Sequence, residues 1–119
     1  MRTSLTIPGE PVAKERPRRG AHGNFYTPRS TQAYEEIVGM YALQLPRYEG
    51  PVSLNLIFFC SPRPWQKMPD LDNLIKSILD GLQKGRAIVD DVQVAELNAC
   101  RMIETKHPRV ELRIVALEH

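Results

Sequence analysis

The residues able to do chemistry in this 119-residue chain fall in two short stretches. The first is Pro69-Asp70-Leu71-Asp72-Asn73-Leu74-Ile75-Lys76, running on to Asp80; the second is Val89-Asp90-Asp91-Val92. Asp70 and Asp72 stand two apart, and carboxylates that close repel each other unless a cation lies between them. Neither stretch contains Cys or His, and an all-oxygen donor set suits Mg2+ or Mn2+ better than zinc. Lys76 follows Asp72 by four residues, so on a helix the two share a face. A metal ion in such a site activates water and offsets the charge of a phosphate, and a neighbouring lysine stabilises developing negative charge or assists the leaving oxygen. This is the equipment of metal-assisted phosphodiester hydrolysis, provided the two stretches meet. The expectation is that a strand entered at Asp90-Asp91 lies beside the helix of Asp72, so that Asp70, Asp72 and Asp91 converge, with Asp90 as an additional acid.

Each of these groups also has a plainer role. An Asp at a helix start caps it and favours its dipole. Asp72 and Lys76 fit an ordinary surface pair, and Asp90-Asp91 fits a turn. An EF-hand calcium loop is excluded: counted from Asp70, its third ligand position is Leu74 and its required glycine position is Ile75.

A complementary basic segment lies upstream. Between positions 14 and 29 there are five cations (Lys14, Arg16, Arg18, Arg19 and Arg29) against the single anion Glu15, in a chain whose net charge is only +2. This distribution describes one basic face rather than a basic protein. With Phe25 and Tyr26 the segment can hold phosphates and touch bases; its plainer reading is a solvated, mobile loop. Arg63, Trp65 and Lys67 immediately precede the acidic helix and can border a substrate, Trp65 equally being a core or dimer contact. Other chemistries find little support. His22, His107 and His119 are scattered, there is no glycine-rich phosphate loop followed by Lys and Ser or Thr, and neither a cysteine nor a serine nucleophile motif is present.

The elements that must position these groups read as a mixed α/β domain spanning residues 1–119, in the order β-α-β-α-β-β. Residues 3–7 alternate as a short strand stopped by Pro8 and Gly9. Residues 9–29, with Pro11, Pro17 and Pro28, form an extended loop whose length suggests binding. Thr27-Pro28 opens a helix over residues 30–45; residues 52–60 make a strand, and residues 61–69 a proline-rich loop. The second helix starts at Pro69 or Asp70 and carries the one-sided stripe Leu71, Leu74, Ile75, Ile78, Leu79 and Leu82, with Gly85 as its C-terminal cap. Residues 92–103 and 110–117 read as the last two strands, turning at His107-Pro108.

Composition, 42% hydrophobic and 25% charged, is that of a globular chain able to bury a core. Cys60 and Cys100 lack metal-ligand spacing and read as free thiols. No apolar run approaches membrane-spanning length, and the start lacks a signal-peptide apolar region. The expectation is a cytoplasmic protein.

The pattern Asp70-Leu71-Asp72-Asn73-Leu74 with Lys76 and Asp80, followed by Val89-Asp90-Asp91-Val92-Gln93-Val94, resembles the RusA family of Holliday junction resolvases, small endonucleases often carried by phages and prophages. The stretch Lys14-Glu15-Arg16-Pro17-Arg18-Arg19, then Tyr26-Thr27-Pro28, is similar to the amino-terminal signature of one branch of that family. The resemblance covers nearly the whole chain. It implies a homodimer cleaving four-way DNA junctions with Mg2+ and no small-molecule cofactor. Asp70, Asp72 and Asp91 would be metal-binding and catalytic, Lys76 the catalytic lysine and Asp90 an additional acid. Lys14, Arg16, Arg18, Arg19, Arg29 and Lys67 would be DNA-binding. Some relatives carry a denser arginine run where this chain has Gln66-Lys67-Met68-Pro69. A two-fold dimer with one site per subunit matches the approximate two-fold symmetry of a junction that needs paired nicks. Two alternatives stand beside this reading: an endonuclease for other branched DNA, and a non-catalytic DNA-binding or scaffold protein. The last is favoured if Asp70, Asp72 and Asp91 lie far apart in the fold.

Overall fold

The computed structural model describes residues 2–117, apart from the side chain of Arg18, and has the expected α/β organisation. His119 lies outside the described residues. The elements are β1 (Arg2–Pro8), a two-residue hairpin of β2 (Arg18–Arg19) and β3 (Phe25–Tyr26), α1 (Arg29–Ala42), β4 (Val52–Cys60), α2 (Leu71–Lys84), β5 (Val94–Ile103) and β6 (Arg109–Ala116).

The four long strands make one sheet in the order β1-β6-β4-β5. β6 is antiparallel to both of its neighbours, whereas β4 and β5 are parallel and are joined through α2. A parallel pair cannot be joined by a tight turn, so the chain must travel back along the sheet between them, and α2 makes that return.

Alternation along the strands sets which face the helices cover. On β4, Val52, Leu54, Leu56, Phe58 and Cys60 are buried, and in register beside them lie Ile114, Leu112 and Val110 of β6 and Leu5 and Ile7 of β1. Tyr34, Val38 and Ala42 of α1 and Leu74, Ile78 and Leu82 of α2 close this layer from one side. The opposite face, with Ser4, Asn55, Asn98 and Arg113 in one row, has no helix over it. Both cysteines are free; burial pushes the thiol of Cys60 up, and Cys100 is exposed on β5.

Several boundaries differ from the sequence reading, each for a local reason. The loop over residues 9–29 folds part of itself into the β2–β3 hairpin. α1 stops at Ala42, and the amides of Leu43, Gln44 and Leu45 tighten into bonds to carbonyls three residues back. The strand expected from residue 92 begins at Val94, because Asp91–Gln93 winds into a 3-10 turn capped by Asp90.

Gly85 ends α2 as expected, but not through a left-handed backbone: its φ is −80°, and the positive φ of 60° falls on Arg86. What requires glycine at 85 is packing. A Cβ there would sit 2.6 Å from Cβ of Ala42 and collide with the carbonyl of Gly39. Gly81, one turn earlier, lies against the side chain of Val38 in the same way. The two helices therefore approach through backbone, and this contact fixes α2 over the sheet.

Gly81→Ala should lower the unfolding free energy by about 1–3 kcal/mol, the usual cost of overpacking a filled core. Urea denaturation with an unchanged slope would measure it.

Candidate active site

Asp70 precedes α2 as its N-cap in extended conformation, yet its carboxylate makes no capping bond. Among the described residues the only hydrogen bond of that carboxylate is a long one, 3.5 Å, from the Asn73 side-chain amide. Asp72 lies exposed in the first turn, where the helix dipole favours negative charge. Lys76 is exposed one turn further on, and among the described residues neither it nor Asp72 forms an ion pair. Capping and surface pairing therefore do not account for these side chains. Arg101, near the end of β5, donates from its guanidinium to the carbonyl of Pro69 and so ties the entrance of α2 to that end of the strand.

The second acidic group is built tightly. Asp90 accepts from the amide of Val92 at 3.0 Å. Gln93 accepts from the amides of Val89 at 2.6 Å and Asp90 at 3.2 Å, while its Nε2 donates to the carbonyls of Tyr48 at 2.8 Å and Gly50 at 2.9 Å. One glutamine side chain thus pins the turn to the segment leading into β4. The carboxyls of Asp90 and Asp91 share a hydrogen bond. The Val92 amide, more than that bond, holds Asp90 below the usual carboxylate range. The bond to Asp90 pushes Asp91 up, and the negative charge of Asp80 adds to the effect.

The two acidic groups do not meet within one chain. The strand entered at Asp91 does lie beside α2, as expected, but α2 runs antiparallel to it. Asp91 consequently sits at the start of β5, while Asp70 and Asp72 sit beside its end. From Val94 to Arg101 the strand rises roughly 20 Å at about 3.3 Å per residue. Among the described residues no three of His, Cys, Asp and Glu come together closely enough to hold a metal ion. One chain thus carries two separate pairs of carboxylates, Asp70 with Asp72 and Asp90 with Asp91.

The basic segment crosses the start of α2. The amide of Lys14 donates to the carbonyl of Asn73 at 2.9 Å, and that of Glu15 to Oγ1 of Thr31 at 3.2 Å. The ammonium of Lys14 is not free for phosphate: it pairs closely with Asp80. Arg16, Arg19, Arg29 and Lys67 are exposed, and the side chain of Arg18 lies outside the described residues. Phe25 is 74% and Trp65 75% exposed, Trp65 with the guanidinium of Arg63 at 5.6 Å from its ring centroid. Trp65 is thus no core residue. Arg63, Trp65 and Lys67 lead into the acidic start of α2 and the basic segment crosses it at Asn73, an arrangement suited to a nucleic-acid backbone and its bases.

Residues 8–115 match the family model of the endodeoxyribonuclease RusA. The chain belongs to the RusA family. Among curated proteins nothing matches it. RusA enzymes are endonucleases that resolve Holliday junctions and require a divalent metal. This chain is accordingly a metal-dependent endodeoxyribonuclease acting on junction DNA. Among the described residues no helix is long and apolar enough to cross a membrane.

Sequence reasoning missed Arg101 and Gln93. Nothing local marks Arg101, whose contact spans thirty-two residues. Gln93 did carry a signal: Asp90 followed three residues later by a glutamine is the spacing of a capping box, which the structure forms.

The Lys14–Asp80 pair gives a pH-dependent contribution to stability. The hydrogen bond to Asp80 holds Lys14 above its ordinary 10.5 despite partial burial. A cation stabilised in the fold contributes fully below its unfolded pKa and loses that contribution as pH rises through the folded one. Lys14→Met should therefore cost about 0.5–1 kcal/mol near neutral pH. In chemical denaturation its gap from the parent should close as pH climbs beyond 10.5.

Proposed function

We propose that two copies of this chain form a Mg2+-dependent Holliday junction resolvase whose metal sites are shared between subunits. Asp70, Asp72 and Lys76 of one subunit work with the partner's Asp91. The supporting observation is the separation of two acidic pairs at opposite ends of one helix–strand unit, in a family whose members are metal-dependent nucleases. Taken alone, that separation favours a non-catalytic DNA-binding protein. Membership of an endodeoxyribonuclease family weighs against that reading, and a second copy supplies the missing half of each site.

The donor chemistry fits the ion. Asp70, Asp72 and Asp91 are carboxylates with no sulfur or imidazole beside them, the set that suits Mg2+, with Mn2+ as the substitute. When bound, the ion lowers the pKa of a water molecule and offsets phosphate charge. The protein's own groups do the rest. Asp90, held ionised by the Val92 amide, lies next to Asp91. Lys76, one turn from Asp72 and in no ion pair among the described residues, stabilises negative charge on the phosphate or the leaving oxygen. Arg16, Arg19, Arg29 and Lys67, with Arg18, hold the backbone of the junction arms, so binding weakens steeply with salt. A two-fold dimer presents two such sites to opposed strands of a four-way junction and makes the paired symmetric nicks. The scheme uses no small-molecule cofactor beyond the ion, and an enzyme acting on cellular DNA would work in the cytoplasm.

Asp72→Asn should bind a synthetic mobile junction as the parent does, yet leave it uncut. The parent should nick it in Mg2+ and stop on chelation. Nicking that survives chelation, or undiminished nicking by Asp72→Asn, would overturn the mechanism. Linear duplex serves as the control substrate.

Subunit mixing tests the shared site directly. Asp72→Asn and Asp91→Asn should each be inert alone. Refolded together, they form mixed dimers with one intact site and one doubly damaged site, so single-strand nicking of the junction should return. Sites contained within one chain would leave the mixture as inert as its components.

A further inference from the structure

Trp65 is the chain's single tryptophan, and it stands on a braced turn instead of in the core. Arg63 to Gln66 form the turn. The amide of Gln66 donates to the carbonyl of Arg63 at 2.8 Å, and the amide of Arg63 donates to Oε1 of Gln66 at 3.0 Å. Pro64 takes the position whose φ a turn needs preset, which leaves Trp65 at the tip. Both ends of the loop are tied down as well. At one end the amide of Ser61 donates to the carboxylate of Glu10, at 2.9 and 3.1 Å; at the other, Arg101 holds the carbonyl of Pro69. A loose loop gives up its freedom on binding, whereas this one has little left to lose.

The ring is presented with one face outward. The guanidinium of Arg63 lies over it at 5.6 Å from the centroid, and at 75% exposure the opposite face stands in solvent. Its company is cationic: residues 61–69 include Arg63 and Lys67 and no acid. The core of a protein–protein interface is depleted of charge around its aromatic residues. An aromatic between two cations fits instead a polyanion that also offers flat rings, which is the chemistry of nucleic acid.

We infer that Trp65 stacks on a base at the branch point of the junction and so distinguishes a junction from continuous duplex. The inference rests on the reading above for its junction substrate, and not on how the metal sites are divided between subunits. Inside a continuous duplex every base is covered on both faces by its neighbours. Where strands exchange, the stack is interrupted and a base face lies open. Phosphate contacts from Arg16, Arg19, Arg29 and Lys67 are available to either form and carry no such distinction. Trp65 also lies close to the acidic start of α2. Asp70 is five positions on, a reach of no more than about 18 Å. At about 3.4 Å per nucleotide along a strand, the ring acts within roughly five nucleotides of a phosphate held there.

Because Trp65 is the only tryptophan, intrinsic fluorescence reports on this contact alone. With metal chelated, so that nothing is cut, a four-way junction should quench it, and a linear duplex of the same sequence should do so much less. In a junction carrying 2-aminopurine at the branch point, the fluorescence of that base should fall when the parent binds and not when Trp65→Ala binds. Trp65→Ala should lose about 5- to 150-fold in junction affinity and little in duplex affinity, and Trp65→Phe should recover part of the loss. The ring is exposed, so the far-UV spectrum and the sedimentation of Trp65→Ala should match the parent's. A parent that binds junction and duplex alike would overturn the junction reading and this inference with it. A parent that prefers the junction, beside a Trp65→Ala that keeps the full preference, would sink the role of Trp65 and leave the junction reading standing. So would tryptophan emission that shifts on self-association without DNA, together with weakened self-association of Trp65→Ala, since the ring would then be a protein contact. Should Trp65→Ala not fold, the two fluorescence titrations of the parent decide alone.

Discussion

The parallel pairing of β4 with β5 governs what this chain can do. Parallel neighbours oblige the connection to run back the length of the sheet, so α2 lies antiparallel to the strand that follows it. Anything at the start of α2 is then placed beside the end of β5, and anything between α2 and β5 lies at the opposite end. Asp70 and Asp72 occupy the first position, and the Asp90–Asp91 turn the second. No adjustment of loops or rotamers bridges a separation set by the length of a strand.

The rest of the molecule holds that geometry rigid. Backbone-close packing at Gly81 and Gly85 leaves α2 little freedom to slide against α1. Arg101 clamps the entrance of the helix, and Gln93 clamps the turn beyond its exit. Lys14 runs along the outer surface of α2, bonded at Asn73 by its backbone and at Asp80 by its side chain. That last contact has an electrostatic consequence. It partly neutralises Asp80, the carboxylate whose charge is felt at Asp91, so a residue on the basic segment tempers the repulsion among acids that a cation must otherwise offset.

Much of this could be read from residue order. The stripe Leu74, Ile78 and Leu82 fixed the buried face of α2, and alternation in residues 52–60 marked a strand covered on one side and half-covered on the other. What stayed hidden depended on relations that periodicity does not carry. A sequence shows that a strand follows a helix; it does not show that its neighbour in the sheet is the parallel β4, which alone decides at which end of α2 Asp91 emerges. The glycine at 85 looked like a cap because helices often end so, whereas its need is a contact with Gly39 and Ala42, forty-odd positions away. Lys14 read as a phosphate ligand because its partner Asp80 lies sixty-six residues on. The 3-10 turn was within reach, since Asp90 and Gln93 stand at capping-box spacing, but the apolar Val92 and Val94 suggested that the strand began earlier.

A site divided between two subunits changes the thermodynamics of assembly. Bringing Asp70 and Asp72 of one chain near Asp91 of another collects negative charge that opposes association until a divalent ion offsets it. In the proposed dimer the ion would find its full set of donors only between subunits, since among the described residues of one chain no three candidate ligands come together. In such an assembly binding of metal and binding of partner would be linked, each raising the affinity of the other by the same factor. An isolated subunit would then be a poor nuclease for two reasons at once, as it would lack both a complete donor set and the second site. On the proposed scheme cutting would be confined to the assembled form, whose two-fold symmetry is also that of the four-way junction. Paired cleavage would then follow from the proposed assembly rather than from any extra residue: a dimer able to make one nick would already hold the second site against the opposing strand.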